Sequence, residues 1–182
     1  MSQNPSLQIP KQRKDVVLWV YPEGRVVGAL FLSLQSRHST RHAEEPLHLL
    51  NQPAPFVVVQ CETPDELRFY NKASIVRVEY QDEHGLVSEE PAPLPCQLNL
   101  MDGTLIDAVL RQNCSLGHSR LYDALNTEGE RFAQLYLEDA TVCLVNKSYI
   151  VNGMGNHTST DIVAADTGHV EQKQDGETFT LD

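Results

Sequence analysis

The sequence predicts a mainly β protein with short helices, organised as two tandem small barrel-like or curved-sheet units from an internal duplication. Three observations carry that prediction. The strings VVLWVYPEGRVVGALFLS, LHLLNQPAPFVVV and LRFYNKASIVRVEY in the first half are answered by QLNLMDGTLIDAVLRQ, RLYDALNTEGERFAQL and VCLVNKSYIVN in the second. Gly24 falls on Gly103, Asn51 on Asn126, Phe56 on Phe132, and Asn71-Lys72 on Asn146-Lys147, at an offset that stays between 75 and 79. The offset changes only in segments that read as loops, where duplicated folds diverge.

Residues 1–14 read as a flexible basic arm with Lys11, Arg13 and Lys14, and lack the apolar stretch a secretory signal needs. The first unit, 15–80, opens with two apolar runs meeting at Pro22-Glu23-Gly24. Gly there supplies the positive φ of a tight hairpin turn. After a polar insertion from Arg37 to Glu45, Pro46 suits the first turn of a short helix carrying Leu47, Leu49 and Leu50. Phe56 then starts two further strand runs, ending in Asn71-Lys72-x-x-Ile75.

Residues 81–95 are acidic and Pro-rich, which makes a semi-rigid exposed linker, because Pro fixes φ and offers no amide donor. The second unit, 96–152, repeats the plan with a hairpin at Asp102-Gly103 and a helical turn capped by Ser119 that presents Leu121, Ala124 and Leu125. Strands follow from Phe132 to Ile150. The tail, 153–182, is polar and acidic and reads as mostly disordered.

Val16, Leu18, Gly24, Gly28 and Leu30 form a V-x-L hairpin with two glycines, and Lys72, Ile75 and Val78 close a K-x-x-I-x-x-V strand. This pattern resembles the Sm-like small barrel. The resemblance implies a closed small barrel in each half and raises Sm-type nucleotide binding. Two departures stand beside it: Asp107 occupies the second Gly position in the second copy, and the helix falls between strands instead of before the barrel.

Composition narrows the function. With 182 residues, 41% of them hydrophobic and 21% charged, the chain can bury a core. Its net charge of −11 repels phosphate chains at long range, so general nucleic-acid binding is disfavoured. No apolar stretch approaches the roughly 20 residues of a membrane span. Cys61, Cys96, Cys114 and Cys143 are widely spread with no C-x-x-C pair, which suits reduced thiols and a cytoplasmic location.

Candidate site residues are few. Arg37-x-x-x-Arg41 has the spacing that PilZ domains use on cyclic dinucleotides, but the Asp/Asn-x-Ser-x-x-Gly partner is approached only by Asn113-Cys-Ser115-Leu-Gly117, one residue short. His38 and His42 could share a metal on a helix, although Ser39-Thr40 between them favours a loop. Lys72 and Lys147 either mark matched ligand or partner surfaces or cap carbonyls at a turn, with Asn71 and Asn146 supplying the turn chemistry. Asn51 and Asn126 read as helix C-terminal residues. Cys61 and Cys143 sit in apolar runs, and Asp102 and Asp123 are accounted for by a turn and an exposed helix face. No nucleophile frame, phosphate loop or metal motif appears, so no cofactor and no catalysis are expected. The expected function is a non-catalytic protein-interaction adaptor with a protein partner, a homo-oligomer being compatible with it. The alternative is a regulator that binds a nucleotide or RNA end through Arg37, Arg41, Lys72 and Lys147.

Overall fold

A computed structural model of the protein describes residues 11–34, 44–82, 93–111 and 121–155. The first half runs β1 (Lys11–Val20), β2 (Gly24–Ser33), α1 (Pro46–Asn51), β3 (Phe56–Cys61), β4 (Glu66–Asn71), a 3-10 turn over Lys72–Ser74, and β5 (Ile75–Gln81). The second runs β6 (Leu94–Leu100), β7 (Leu105–Leu110), α2 (Leu121–Leu125), β8 (Phe132–Tyr136), a 3-10 turn over Glu138–Ala140, β9 (Thr141–Asn146), a 3-10 turn over Lys147–Tyr149, and β10 (Ile150–Gly155). Both expected hairpins form around glycines with positive φ, +92° at Gly24 and +81° at Gly103. Both expected helices are single short turns, and α1 starts on Pro46.

Among the described residues the ten strands form one antiparallel sheet in the order β10-β6-β7-β8-β9-β5-β1-β2-β3-β4. Its left part, β10-β6-β7-β8-β9, and its right part, β5-β1-β2-β3-β4, follow the same internal order. They meet where β5 pairs with β9, from Arg77 opposite Val145 to Gln81 opposite Thr141. The expected mainly β fold with short helices is present, and its strands form a single continuous sheet. One ladder runs through both halves, and the burial follows it.

Period-two alternation sets the faces of β1, where Val16, Leu18 and Val20 are buried. They join Leu30, Leu50, Val59, Ile75 and Val78 in the first core, which also takes in Phe132, Val142 and Leu144 from the second half. The second core gathers Leu98, Leu100, Leu135, Cys143 and Val145, and it takes in Val76 from the first half, with Trp19 packed against it. Gly28 is needed for close approach: a Cβ there would lie 2.4 Å from the Gln60 carbonyl oxygen on β3.

The strands run past the sequence reading at four boundaries. Lys11–Lys14, expected in a flexible arm, extend β1 because the long β2 run offers them a ladder from Leu30 to Ser33. Gly153–Gly155, expected in the tail, lengthen β10 along β6, since Gly153 fits beneath Leu98 and Leu121 where a Cβ would not. Gln81 and Leu94–Pro95, expected in the linker, end β5 and begin β6. Arg37, Arg41, His38, His42, Ser119, the 113–117 string, residues 83–92 and the tail from 156 lie outside the described residues.

Candidate functional site

The repeated Asn-Lys pair builds the same local structure twice. Asn71 Oδ1 accepts from the Ala73 amide at 2.9 Å, and Asn146 Oδ1 accepts from the Ser148 amide at 3.1 Å, so each Asn caps its 3-10 turn. The Lys72 amide donates to the Pro55 carbonyl and the Lys147 amide to the Arg131 carbonyl. Each turn also reaches its own hairpin: the Tyr21 amide donates to Ser74 O, and the Met101 amide to Tyr149 O.

The lysines point inward. Lys72 is 2% exposed, and its Nζ donates to Leu49 O at 2.7 Å and Gln52 O at 3.0 Å, closing the C-terminal end of α1. Lys147 Nζ donates to Thr127 O at 3.2 Å, just past α2. Burial lowers the pKa of both ammonium groups, with the Arg131 charge adding to the effect on Lys72. This is the carbonyl-capping role that the sequence allowed. Of the four residues proposed for ligand or partner binding, Lys72 and Lys147 thus stand in matched places, and Arg37 and Arg41 lie outside the described residues.

The asparagines show what sequence reasoning missed. Asn146 is fully buried, and its Nδ2 donates to Ile75 O at 2.8 Å and Lys72 O at 3.3 Å, binding the second half to the first. Asn51 grips the backbone of Phe132 from both sides: its Nδ2 donates to Phe132 O at 3.1 Å, and its Oδ1 accepts from Phe132 N at 2.8 Å. Arg77 adds a polar strap. It stacks 3.9 Å from the Trp19 ring centre, and its Nη1 reaches Thr104 Oγ1 at 3.3 Å and Asp102 Oδ2 at 3.7 Å. A signal was present in the sequence: Thr141–Asn146 is buried at all six positions and reads TVCLVN, whereas Glu66–Asn71 reads ELRFYN. A run with no polar alternation marks a strand covered on both faces.

The ends of the sheet complete the picture. Among the described residues, nothing pairs with the outer side of β4 or of β10. Around β4 the exposed apolar side chains are Phe56 at 54%, Leu67 at 55% and Phe69 at 70%. Their counterparts by sequence offset, Phe132, Val142 and Leu144, are at most 1% exposed because they lie in the joint between the halves. Around β10, Val151 is 57% exposed and Tyr122 71%. Val76, the counterpart of Val151, is buried in the joint.

Reactive chemistry is scarce on this surface. Cys61, Cys96 and Cys143 are buried free thiols, and burial pushes the pKa of Cys96 up and that of Cys143 up to about 12, so neither offers a thiolate near neutrality. Asp102 is held below the usual carboxylate range, burial being outweighed by its bonds to Thr104 and the charge of Arg77. A hollow of about 540 Å³ along β6 and β7 is lined by Cys96, Asp107, Tyr136 and Met154, and Asp107 there accepts from Gln97. Among the described residues, no group of three His, Cys, Asp or Glu side chains converges on a metal position, and no helix is long and apolar enough to cross a membrane. Neither a protein-family model, nor a curated protein, nor a solved structure matches the chain.

Proposed function

We propose that this chain is a non-catalytic interaction module of two duplicated Sm-like small β units, whose two free sheet edges take up strands from protein partners. The observation that carries the reading is the contrast at β4: three large apolar side chains stand exposed where their counterparts on β8 and β9 are buried. An open edge supplies unpaired amides and carbonyls, and flanking apolar side chains supply the burial that makes an added strand stable. The duplication is supported by the shared strand order and by the matched bonds of the Asn-Lys turns. The Sm-like reading is supported by five strands per half, a short helix and a 3-10 turn before the last strand.

Selection of binders from a random peptide library displayed on phage tests this. Recovered peptides are expected to alternate apolar and polar residues and to shift backbone amide NMR signals in Glu66–Asn71 or Ile150–Gly155. Phe69→Asp is expected to abolish capture at β4 while leaving the far-ultraviolet circular dichroism unchanged. Binders that perturb only other surfaces, or no binders at all, would overturn the reading.

A further inference from the structure

We infer that the groove between β7 and β8 seats an arginine side chain carried by a peptide segment of a partner. The site is separate from strand addition at β4 and does not depend on it. It exists because the two halves differ at one ladder position.

In the first hairpin Val16 lies opposite Gly28, and in the second Cys96 lies opposite Ala108, so the ladders put Ala108 in the place of Gly28. A Cβ at Gly28 would lie 2.4 Å from Gln60 O and 2.9 Å from the Val59 side chain, and its absence lets β3 approach β2. Gly28, Ala29 and Leu30 then pair with Cys61, Gln60 and Val59. In the second half only the pair matching the middle one forms, Val109 opposite Tyr136. The next bond is lost as well. Glu62 N donates to Val27 O at 3.1 Å, whereas among the described residues Glu138 N makes no matching bond to Asp107 O, and the Leu137 amide turns to Thr141 O at 2.8 Å. β8 thus parts from β7 where β3 stays on β2. The hollow of about 540 Å³ lies at this opening, with Ala108 on one rim and Leu137 and Glu138 on the other.

The lining selects the occupant. Asp107 and Glu138 bring carboxylates to the mouth, and Gln97 Nε2 donates to Asp107 Oδ1 at 2.6 Å, which orients that carboxylate. Val109, Met154 and the Tyr136 ring supply apolar flanks. An arginine joins an apolar stem, which packs on such flanks, to a planar guanidinium whose forked N–H groups match carboxylates. The first half shows a comparable surface with its cations in place. Over the strands that match β6, β7 and β10, Asp15, Val17, Val27 and Glu79 line a hollow of about 250 Å³, and Arg13 and Arg77 hold Asp15 and Glu79 at 3.2 and 3.0 Å. Among the described residues, no cation of the chain pairs with Asp107 or Glu138. Arg111, 5.6 Å from the Tyr136 ring centre, lines a different hollow with Leu47 and Glu130. The missing cation has to come from outside, and the net charge of −11 draws it in at long range.

NMR titration of the full chain with a capped pentapeptide holding one arginine between glycines tests this, with lysine and citrulline versions as controls. The arginine peptide is expected to give saturable shifts at the amides of Asp107, Val109, Leu137 and Glu138 and at the Met154 methyl. Citrulline keeps the shape without the charge, and its peptide is expected to bind about tenfold more weakly, the loss of a charged hydrogen-bonded contact. The lysine peptide, without the fork, should also bind more weakly. Asp107→Asn and Glu138→Gln change exposed side chains, so both variants are expected to fold; each should weaken binding about threefold, and the pair about tenfold. Ala108→Gly keeps both acids and lets β8 close on β7. It is expected to abolish the shifts and to protect the Glu138 amide from hydrogen exchange. Phe69→Asp, at the far end of the sheet, should leave the affinity unchanged. The absence of saturable shifts, equal affinity for the citrulline or lysine peptide, no loss in the Asp107→Asn/Glu138→Gln variant, or full binding by Ala108→Gly would overturn the inference.

Discussion

At the scale of single residues, polar side chains facing backbone do the work of fastening one half to the other. Asn146 has no water to fall back on, and its loss leaves the Ile75 carbonyl without its donor inside the joint. Asn146→Ala is therefore expected to cost about 1–3 kcal/mol, the desolvation penalty of orphaned buried groups. Urea denaturation with an unchanged slope measures it. Lys72→Met keeps the alkyl stem but strands the Leu49 and Gln52 carbonyls at the end of α1, and is expected to cost a similar amount, about 1–3 kcal/mol. Lys147→Met should cost less, because it loses one longer bond. The Cys143 thiol gives the pH dependence. Burial raises its folded pKa from 9.0 to about 12, so the unfolded chain releases this proton first as pH rises. Its contribution is fully present below pH 9 and is lost progressively as the pH climbs toward 12. The alkaline decline of stability should be shallower in Cys143→Ala than in wild type, as read by urea midpoints at pH 8, 9 and 10.

Among the elements, the hairpins and helical turns were legible because each is encoded within a few residues. Gly24 and Gly103 take positive φ, Pro46 starts α1, and Asn71 and Asn146 cap their turns with no help from distant chain. Gly28 is different, since its requirement comes from β3 across the ladder. Gly28→Ala would drive a methyl into Gln60 O and the Val59 side chain, and is expected to destabilise by about 1–3 kcal/mol through overpacking. A melting curve of the variant checks it, and a crystal structure should show β3 pushed from β2. The β5·β9 pairing was not legible, because β9 is an apolar run, buried at all six positions, that suits any covered place in a sheet. The sequence marks such a strand as covered and does not say by which neighbour. The same limit explains the binding residues: Lys72 looks like a charge available to a ligand until α1 is seen to end over it. The edges of the sheet, β4 and β10, could be recognised only by comparing each half with the other.

For the molecule as a whole, the joint decides whether two halves make one cooperative unit. Phe132 belongs to the second half by sequence and to the first core by packing, where it is fully buried and held at its backbone by Asn51. Val76 makes the reverse crossing into the second core. Neither core is complete without the other half, so local unfolding of one removes apolar contacts from both. Trp19, the only tryptophan, packs on the second core from β1 and reports on that shared region. Urea unfolding followed by Trp19 fluorescence and by far-ultraviolet circular dichroism is expected to give coincident transitions. Phe132→Ala should shift both together by about 3–5 kcal/mol, the usual cost of emptying a buried aromatic site. Phe56→Ala should change stability by no more than about 0.5 kcal/mol, as exposed positions do. Two separated transitions, or equal costs for the two phenylalanines, would mean that the halves fold independently and that the β5·β9 ladder contributes little to holding them.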